Sequence, residues 1–406
     1  MELNFPIDKK RVVLALGAES AGNFSFYENK KVYFSKDFGD LLDEKIWENY
    51  KKAVLKYLKD NKIKPDVILT DLHPLFKNTL WGAELAQKLG AKHIHVQHHI
   101  AHIFSAVGDK IIQNTKYQIP DTIYGVAMDG TGYGEDGKIW GGEIFQVKSS
   151  KLKVKSIIRM GHLENQTLIG GELSIKEPAR MLISILSKFL DKDEVYKYIK
   201  KYYSRNEFEL LHNQLQQNFN CQKTFSAGRI LDAVSLLLGF CGNERRYKHE
   251  PIDLLEKNST KPYTDLKPKI KKDKDLYILD TTYLFNYVIS AIGGSAYGGN
   301  YLHTRDKNLS AEEAGRLAAT AQLYLAEGIY EILQNIQYTK YQIQNTFFAG
   351  GIANNKIISS FLESKGAYTN KKVPRGDAGL SFGQVVYFLL TISKPNITAS
   401  HRKSSN

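Results

Sequence analysis

The stretch Tyr124 to Phe145, YGVAMDGTGYGEDGKIWGGEIF, constrains this chain most, because an apolar run passes straight into an acidic, glycine-rich segment. Tyr124–Met128 reads as a buried strand, Asp136-Gly137 as a turn, and Ile139-Trp140 as the strand that returns. Glycines between the arms let backbone N–H groups come close to an anion such as a phosphate. Asp129 fits such a loop when a cation shares the charge, since a bare carboxylate repels phosphate. A DG turn alone marks an ordinary hairpin. The rest of the chain decides between the two readings.

Upstream, strands and helices alternate. Arg11–Gly17 is a short buried strand ending in Gly17-Ala18-Glu19-Ser20, and strand-like Asn23–Tyr27 and Lys31–Phe34 follow across turn residues. An amphipathic helix over Leu41–Lys59, a strand over Pro65–Leu69 ending in TDLHP, a helix over Thr79–Leu89 and a strand over Lys92–Val96 complete the pattern. Such alternation argues for an α/β fold with mostly parallel pairing.

His98, His99 and His102 come next. A helix starting near His98 places His98 and His102 at i and i+4 on one face, close enough to hold one ion. A single histidine is usually a core or surface group, but three in five residues stand directly after a strand end, where α/β sites form. Asp129, also following a strand, is the candidate third ligand. His99 lies on a different face and is a candidate for hydrogen bonding or substrate contact.

Beyond the hairpin, Leu152–Met160 reads as a strand, and Gly170-Gly171 precedes Lys176-Glu177-Pro178-Ala179-Arg180, where Pro178 suits a first helical turn. Glu177 and Arg180 form either an i,i+3 surface pair or a site contact. Residues from about 176 to 256 read as a helical insertion. Within it Ser226 caps a helix over Ala227–Gly239, whose apolar interior holds Asp232. A buried carboxylate needs a partner, and a ribose hydroxyl pair is one. Lys261–Asp275 is Lys-rich and reads as irregular and solvated. Glycine pairs at 293–294 and 298–299 precede a capping box, Ser310 to Glu313, that opens a helix to about Leu333. Thr346–Ala349 is a strand, and the Gly350-Gly351 turn after it lets a flat base or ribose lie on the backbone beside Asn354. Asp377 lies near the start of the helix ending about Leu390, as a cap or as a metal ligand. Residues 393–406 read as a disordered tail.

At 406 residues the chain is long enough for two lobes, an N-terminal one over 1–120 and a C-terminal one over 121–392. A net charge of +13 favours anionic partners, although the lysines are scattered rather than clustered. No apolar run spans a bilayer, and the start lacks a secretory signal. Cys221 and Cys241, without CxxC spacing, argue against a disulfide scaffold and a cysteine-based zinc finger. These features predict a cytoplasmic enzyme with reduced thiols and no membrane partner.

Taken together, the motifs resemble the TsaD-like domain of HypF-type carbamoyltransferases, which act in [NiFe]-hydrogenase maturation. The matching segments are GAE (17–19), DLHP (71–74), VQHHIAH (96–102), DGTGYGEDGKIWGGE (129–143), GGELSIKEPARM (170–181), SAGRILDAVSLLLG (226–239), AGGIANN (349–355) and DAGLSFGQ (377–384). They stand in the family's order and span nearly the whole chain. The resemblance implies the ATPase fold shared by actin, DnaK-type chaperones and sugar kinases: two ribonuclease-H-like lobes around a nucleotide cleft. It implies His98, His102, Asp129 and Asp377 as metal ligands, and Gly132, Gly170, Gly171, Gly228, Asp232, Gly350, Gly351 and Asn354 as contacts to an adenine nucleotide. The acylphosphatase-like, zinc-finger and YrdC-like domains of such proteins are not in this chain. Where the family tends to have YEG-E, this sequence has Tyr247-Lys248-His249-Glu250, and the loop after GAE lacks the usual lysine.

What the resemblance implies is transfer of a carbamoyl group from carbamoyladenylate to the C-terminal cysteine thiolate of a HypE-like partner. A separate YrdC-like domain or protein would supply the carbamoyladenylate. A divalent ion held by two imidazoles and two carboxylates suits iron or zinc better than magnesium. Asp129 would act through that ion, the amides of Gly130–Gly132 would add hydrogen bonds, and His99 would be a proton shuttle. Two rivals stand beside this reading. One is a TsaD-type transferase acting on tRNA, against which the long hairpin and the EPARM segment weigh; the other is a non-catalytic nucleotide-binding scaffold.

Overall fold

Before residue 120, the alternation of apolar runs and turns closes into one sheet. In a computed structural model its strands are β1 (Glu2–Asn4), β2 (Val13–Ala15), β3 (Ser25–Glu28), β4 (Lys31–Phe34), β5 (Val67–Asp71) and β6 (Lys92–Val96). Helices α1 (Glu44–Asp60) and α2 (Lys77–Leu89) link β4 to β5 and β5 to β6, and α3 (His98–Gln113) follows β6. The sheet order is β1-β4-β3-β2-β5-β6, with β2, β5 and β6 parallel and β3 and β4 antiparallel. The structure describes residues 1–150, 153–293, 309–340, 342–391 and 397–399. Gly294, the glycine pair 298–299 and most of the expected tail lie outside the described residues.

The second half begins with β7 (Thr122–Tyr133), β8 (Ile139–Ser150), β9 (Lys153–Leu163) and β10 (Gln166–Ile169). Helices α4 (Leu173–Lys176), α5 (Pro178–Leu186), α6 (Lys192–Ile199) and α7 (Arg205–Gln216) lead to β11 (Cys221–Thr224), α8 (Ala227–Leu237) and α9 (Glu250–Asn258). Then come β12 (Ile270–Asp273), β13 (Leu276–Leu279), α10 (Thr281–Gly293), α11 (Ala311–Gln337), β14 (Thr346–Ala349), α12 (Lys356–Ser364), α13 (Leu380–Leu390) and β15 (Ile397–Ala399). Strands β7, β8 and β9 pair antiparallel, β14 joins β7 in parallel, and Tyr368 bridges Phe347 beyond it. Each half therefore carries a central strand with two antiparallel strands on one side and parallel strands on the other. This is the ribonuclease-H-like pattern, repeated, that the actin-type ATPase fold requires.

Local signals account for several boundaries. Ser226 caps α8 by accepting from Arg229 N–H, and Gly239 just past its end adopts φ +78°. Ser310 and Glu313 form the capping box of α11. The span 176–256 is mostly helical, with one short strand, β11, that pairs with β10 and touches β8. One expectation needs correction. Lys261–Asp275 is not irregular throughout: β12 pairs with β13, which docks on β9, and Lys269 and Lys271 reach Asp280 at 3.8 and 2.8 Å. The lysine run hides a sheet edge whose charge is anchored.

Helices α3 and α13 cross closely, and the crossing positions the site. A Cβ on Gly383 would lie 1.9 Å from the Ala101 carbonyl oxygen, and one on Gly108 would lie 2.5 Å from Val386 Cγ2. From α13, Phe382 packs edge-on against Phe5 and Phe34 of the first half, at ring distances of 6.3 and 6.4 Å. On α3, the buried Asp109 accepts hydrogen bonds from the amides of Lys371, Lys372 and Val373 (2.9, 2.9 and 2.7 Å) and from the Tyr368 hydroxyl (2.7 Å). That carboxylate fixes the segment leading to Asp377. No helix among the described residues is long and apolar enough to cross a membrane.

Candidate metal centre

Strand β7 does not stop at Met128 as its composition suggests. It continues to Tyr133, and its pairing with β8 shifts between Met128 and Gly132, a bulge that re-aims the residues inside it. Asp129 sits in that bulge. Its Oδ1 accepts from the amides of Gly130 (2.8 Å) and Gly351 (3.2 Å), and its Oδ2 faces His98 Nε2 (3.1 Å) and His102 Nε2 (3.3 Å). The Gly130 amide, expected to bind a ligand, is thus committed to Asp129. Gly350 makes the second approach possible. It adopts φ +99°, and a Cβ there would lie 2.2 Å from the Met128 carbonyl oxygen, so only glycine fits.

α3 begins at His98, and Gln97 caps it by accepting from Ile100 N–H. The i, i+4 spacing then brings the Nε2 atoms of His98 and His102 to 3.1 Å from each other. Asp377 completes the group from the turn before α13, with Oδ1 at 3.4 and 3.3 Å from the two Nε2 atoms. One ligand atom from each of the four residues lies within 4.8 Å of every other. Asp377 Oδ1 is buried yet makes no hydrogen bond, although both imidazoles are near. Two imidazole nitrogens and two carboxylate oxygens crowd together in a buried space, an arrangement a cation satisfies. The residues therefore fit a divalent ion with mixed nitrogen and oxygen ligands.

Charge behaves accordingly. Burial disfavours charge on His98, but Asp71, Asp129 and Asp377 lift its pKa well above the ordinary value. Burial and Asp377 push the Asp129 carboxyl up, yet hydrogen bonds with His102 and His98 hold it well below the carboxylate range. Asp377 likewise lies well below that range, its burial outweighed by His102, His98 and Lys248.

Three supporting residues, Asp71, Ser20 and Lys248, have no such role in the sequence reading. Asp71, at the end of β5 and fully buried, meets His98 Nδ1 at 2.6 Å and so turns the Nε2 lone pair toward the cluster. Its signal is an acid at a strand end, the same position as Asp129. Ser20 donates to Asp377 Oδ2, and Lys248 Nζ lies 3.4 Å from that oxygen.

A cavity of about 480 Å³ opens on the cluster, with Asp129, Gly130, Gly351, Asn354 and Asp377 in its wall. The other expected residues fall elsewhere. His99 does not line the cavity. It is fully buried, bonded to Gln97 at 3.1 Å and packed beneath Gly132, and burial followed by His98 holds its pKa well below normal. Gly228 packs α8 against Gly130, where a Cβ would come within 2.8 Å of Gly130 Cα. Gly170 and Gly171 both adopt positive φ in a turn outside the cavity wall. Glu177 binds Arg180 (2.7 Å) and the Tyr203 hydroxyl (2.6 Å), also away from it. Asp232 pairs through Oδ2 with Arg229 and Arg245, while its Oδ1 is buried without a hydrogen-bond partner.

Comparison with known proteins adds the family. Residues 125–384 match the carbamoyltransferase Kae1-like domain, second subdomain, and residues 8–109 match the HypF Kae1-like domain. The probable carbamoyltransferase HypF of Methanocaldococcus jannaschii is 36% identical over 395 residues, covering 95% of this chain and 47% of the relative. The crystal structure of T. kodakarensis HypF aligns with TM-score 0.78 at 29% identity, over 96% of this chain and 49% of that one. A full-length HypF crystallised in the phosphate- and nucleotide-bound form aligns with TM-score 0.75 at 24% identity, over 96% and 47%. The chain spans about half the length of these proteins.

Proposed function

This chain belongs to the HypF carbamoyltransferase family, and from that premise we propose that it moves a carbamoyl group from carbamoyladenylate to a terminal cysteine thiolate of a HypE-like partner. The observation that carries the reading is the grouping of ligand atoms of His98, His102, Asp129 and Asp377 within 4.8 Å of one another, with Asp129 and Asp377 in the cavity wall. Such a cavity, with a few polar groups aimed inward, suits a small charged ligand. Gly351, Ile352 and Asn354 on one side, with Ile252 on α9, would receive an adenine nucleoside.

His98, His102, Asp129 and Asp377 would hold a divalent ion, zinc or iron before magnesium, which supplies electrostatic stabilisation for charge developing on phosphate and carbamoyl oxygens. Asp71 fixes the orientation of His98, and the amides of Gly130 and Gly351 fix Asp129. The acceptor brings its own nucleophile: its thiolate sulfur bonds to the carbamoyl carbon, the bond from that carbon to the phosphate oxygen breaks, and AMP leaves with the electron pair. No side-chain nucleophile of this chain is needed. His99, behind the bulge, acts here by shaping the floor under Gly132 rather than by shuttling a proton.

The test supplies carbamoyladenylate made in place by a separate YrdC-like domain from ATP and carbamoyl phosphate. Mass spectrometry of a HypE-like acceptor should show one added carbamoyl group on its terminal cysteine, lost with a chelator and with Asp129→Ala. No transfer to the intact acceptor, despite measured binding of metal and nucleotide, overturns the acceptor. Modification of tRNA under the same conditions would replace it with the TsaD-type reaction.

A further inference from the structure

Arg229 and Arg245 flank Asp232 beside the metal cluster, and both line the cavity. Their side chains are only 5% and 9% exposed. Arg229 gives Nη2 to Asp232 Oδ2 at 2.9 Å, and Arg245 gives Nη2 to the same oxygen and Nη1 to the Lys248 carbonyl at 2.9 Å. Three donors, Arg229 Nε, Arg229 Nη1 and Arg245 Nε, remain without an acceptor, against one acceptor, Asp232 Oδ1, without a donor. Two guanidinium groups share one carboxylate, so this buried cluster carries a surplus positive charge and unmet N–H groups. Both are costly unless an anion completes them.

Placement says where that anion sits. A Cβ on Gly130 would lie 3.4 Å from Arg229 Nη2, which puts the guanidinium against the residue next to Asp129. Lys248, whose carbonyl holds Arg245, extends its ammonium to Asp377. The basic groups therefore run along the cavity from α8 to the metal ligands. We propose that Arg229 and Arg245 form an oxyanion subsite for a phosphate group, with Asp232 as the residue that positions both arginines. Arginine suits this role because its planar fork keeps donors free after pairing with one carboxylate. The subsite rests on the nucleotide reading for its most natural occupant, the phosphate of an adenylate. Free phosphate shares the chemistry.

The measurement is calorimetric titration of the full chain, loaded with zinc, with adenosine, AMP and inorganic phosphate separately, in the wild type and in Arg245→Gln. In the wild type AMP should bind more tightly than adenosine. Arg245→Gln should weaken AMP by roughly ten- to a hundredfold, the worth of charge-assisted bonds, and leave adenosine unchanged. Unchanged adenosine affinity also shows that the variant is folded. Equal AMP affinity in the two proteins overturns the subsite while the nucleotide reading stands. Phosphate binding that Arg245→Gln abolishes, with no binding of adenosine or AMP, keeps the subsite and removes the nucleotide as its occupant. Failure of all three ligands to bind the wild type overturns both.

Discussion

Asp71 governs which nitrogen of His98 presents a lone pair to an ion, and it does so from complete burial at 2.6 Å. Asp71→Asn keeps the size but weakens the acceptor, so metal affinity should fall by roughly ten- to a hundredfold with little change in folding. Competition against a chromophoric chelator reads this directly; unchanged affinity would mean that the Asp71 contact is packing only. A second titration is independent of the metal. Burial, and then Arg159, lowers the His162 pKa from its ordinary value to about 4. The folded state thus binds fewer protons than the unfolded one between pH 4 and 6.5. Stability from this term is present above about pH 6.5 and is lost as pH falls toward 4, a span of about 3 kcal/mol. Urea midpoints from pH 7 to 4 should fall in the wild type and less steeply in His162→Gln; identical slopes would assign the acid sensitivity elsewhere. Of the four candidate ligands, His98 and His102 are legible from helical spacing and Asp129 from its place after a strand, whereas Asp377 is equally a helix cap and enters the set through the family resemblance. Asp71 and Arg245 are not legible, since their roles depend on partners such as His98 and Asp232 that only the fold brings near.

The crossing of α3 and α13 turns these single contacts into a site. Gly383 faces the Ala101 carbonyl, and backbone cannot move aside as a side chain can. Gly383→Ala should cost about 1–3 kcal/mol by overpacking. It should also spread His98 and His102 from Asp377, so metal affinity falls alongside the unfolding midpoint. A drop in stability with full metal affinity would show that the crossing does not set ligand geometry. The sequence leads to both helices but not to their contact, because a glycine on a helix face looks the same whether it meets solvent or another backbone. For a similar reason β12 reads as solvated chain in the sequence: five lysines in residues 267–274 mask a strand that pairs with β13. The bulge in β7 reads as a loop in the sequence, since Gly130 and Gly132 break the apolar pattern, while pairing with β8 resumes in a shifted register at Gly132.

At the scale of the whole molecule, the four candidate metal ligands come from three separated stretches: α3 at the end of the first half, β7 opening the second, and Asp377 near its close. Folding must bring all three together before an ion can bind with four ligands. The unfolded chain keeps only the i, i+4 histidine pair, so an ion held by all four residues should bind the native state far more tightly and stabilise it by mass action. At an ion concentration about a hundredfold above Kd, the gain should be about 2.7 kcal/mol. Zinc should produce it and magnesium should not, because two imidazole ligands favour the softer ion. Asp377→Ala separates this linkage from ordinary stability. It deletes the ligand that comes last in sequence while leaving His98, His102 and Asp129 in place. The variant should unfold near the wild type without metal and show little upward shift when zinc is added. An undiminished shift in Asp377→Ala would mean that the ion is held by the first three residues alone, and that the end of the chain reaches the site for the substrate's sake rather than the metal's.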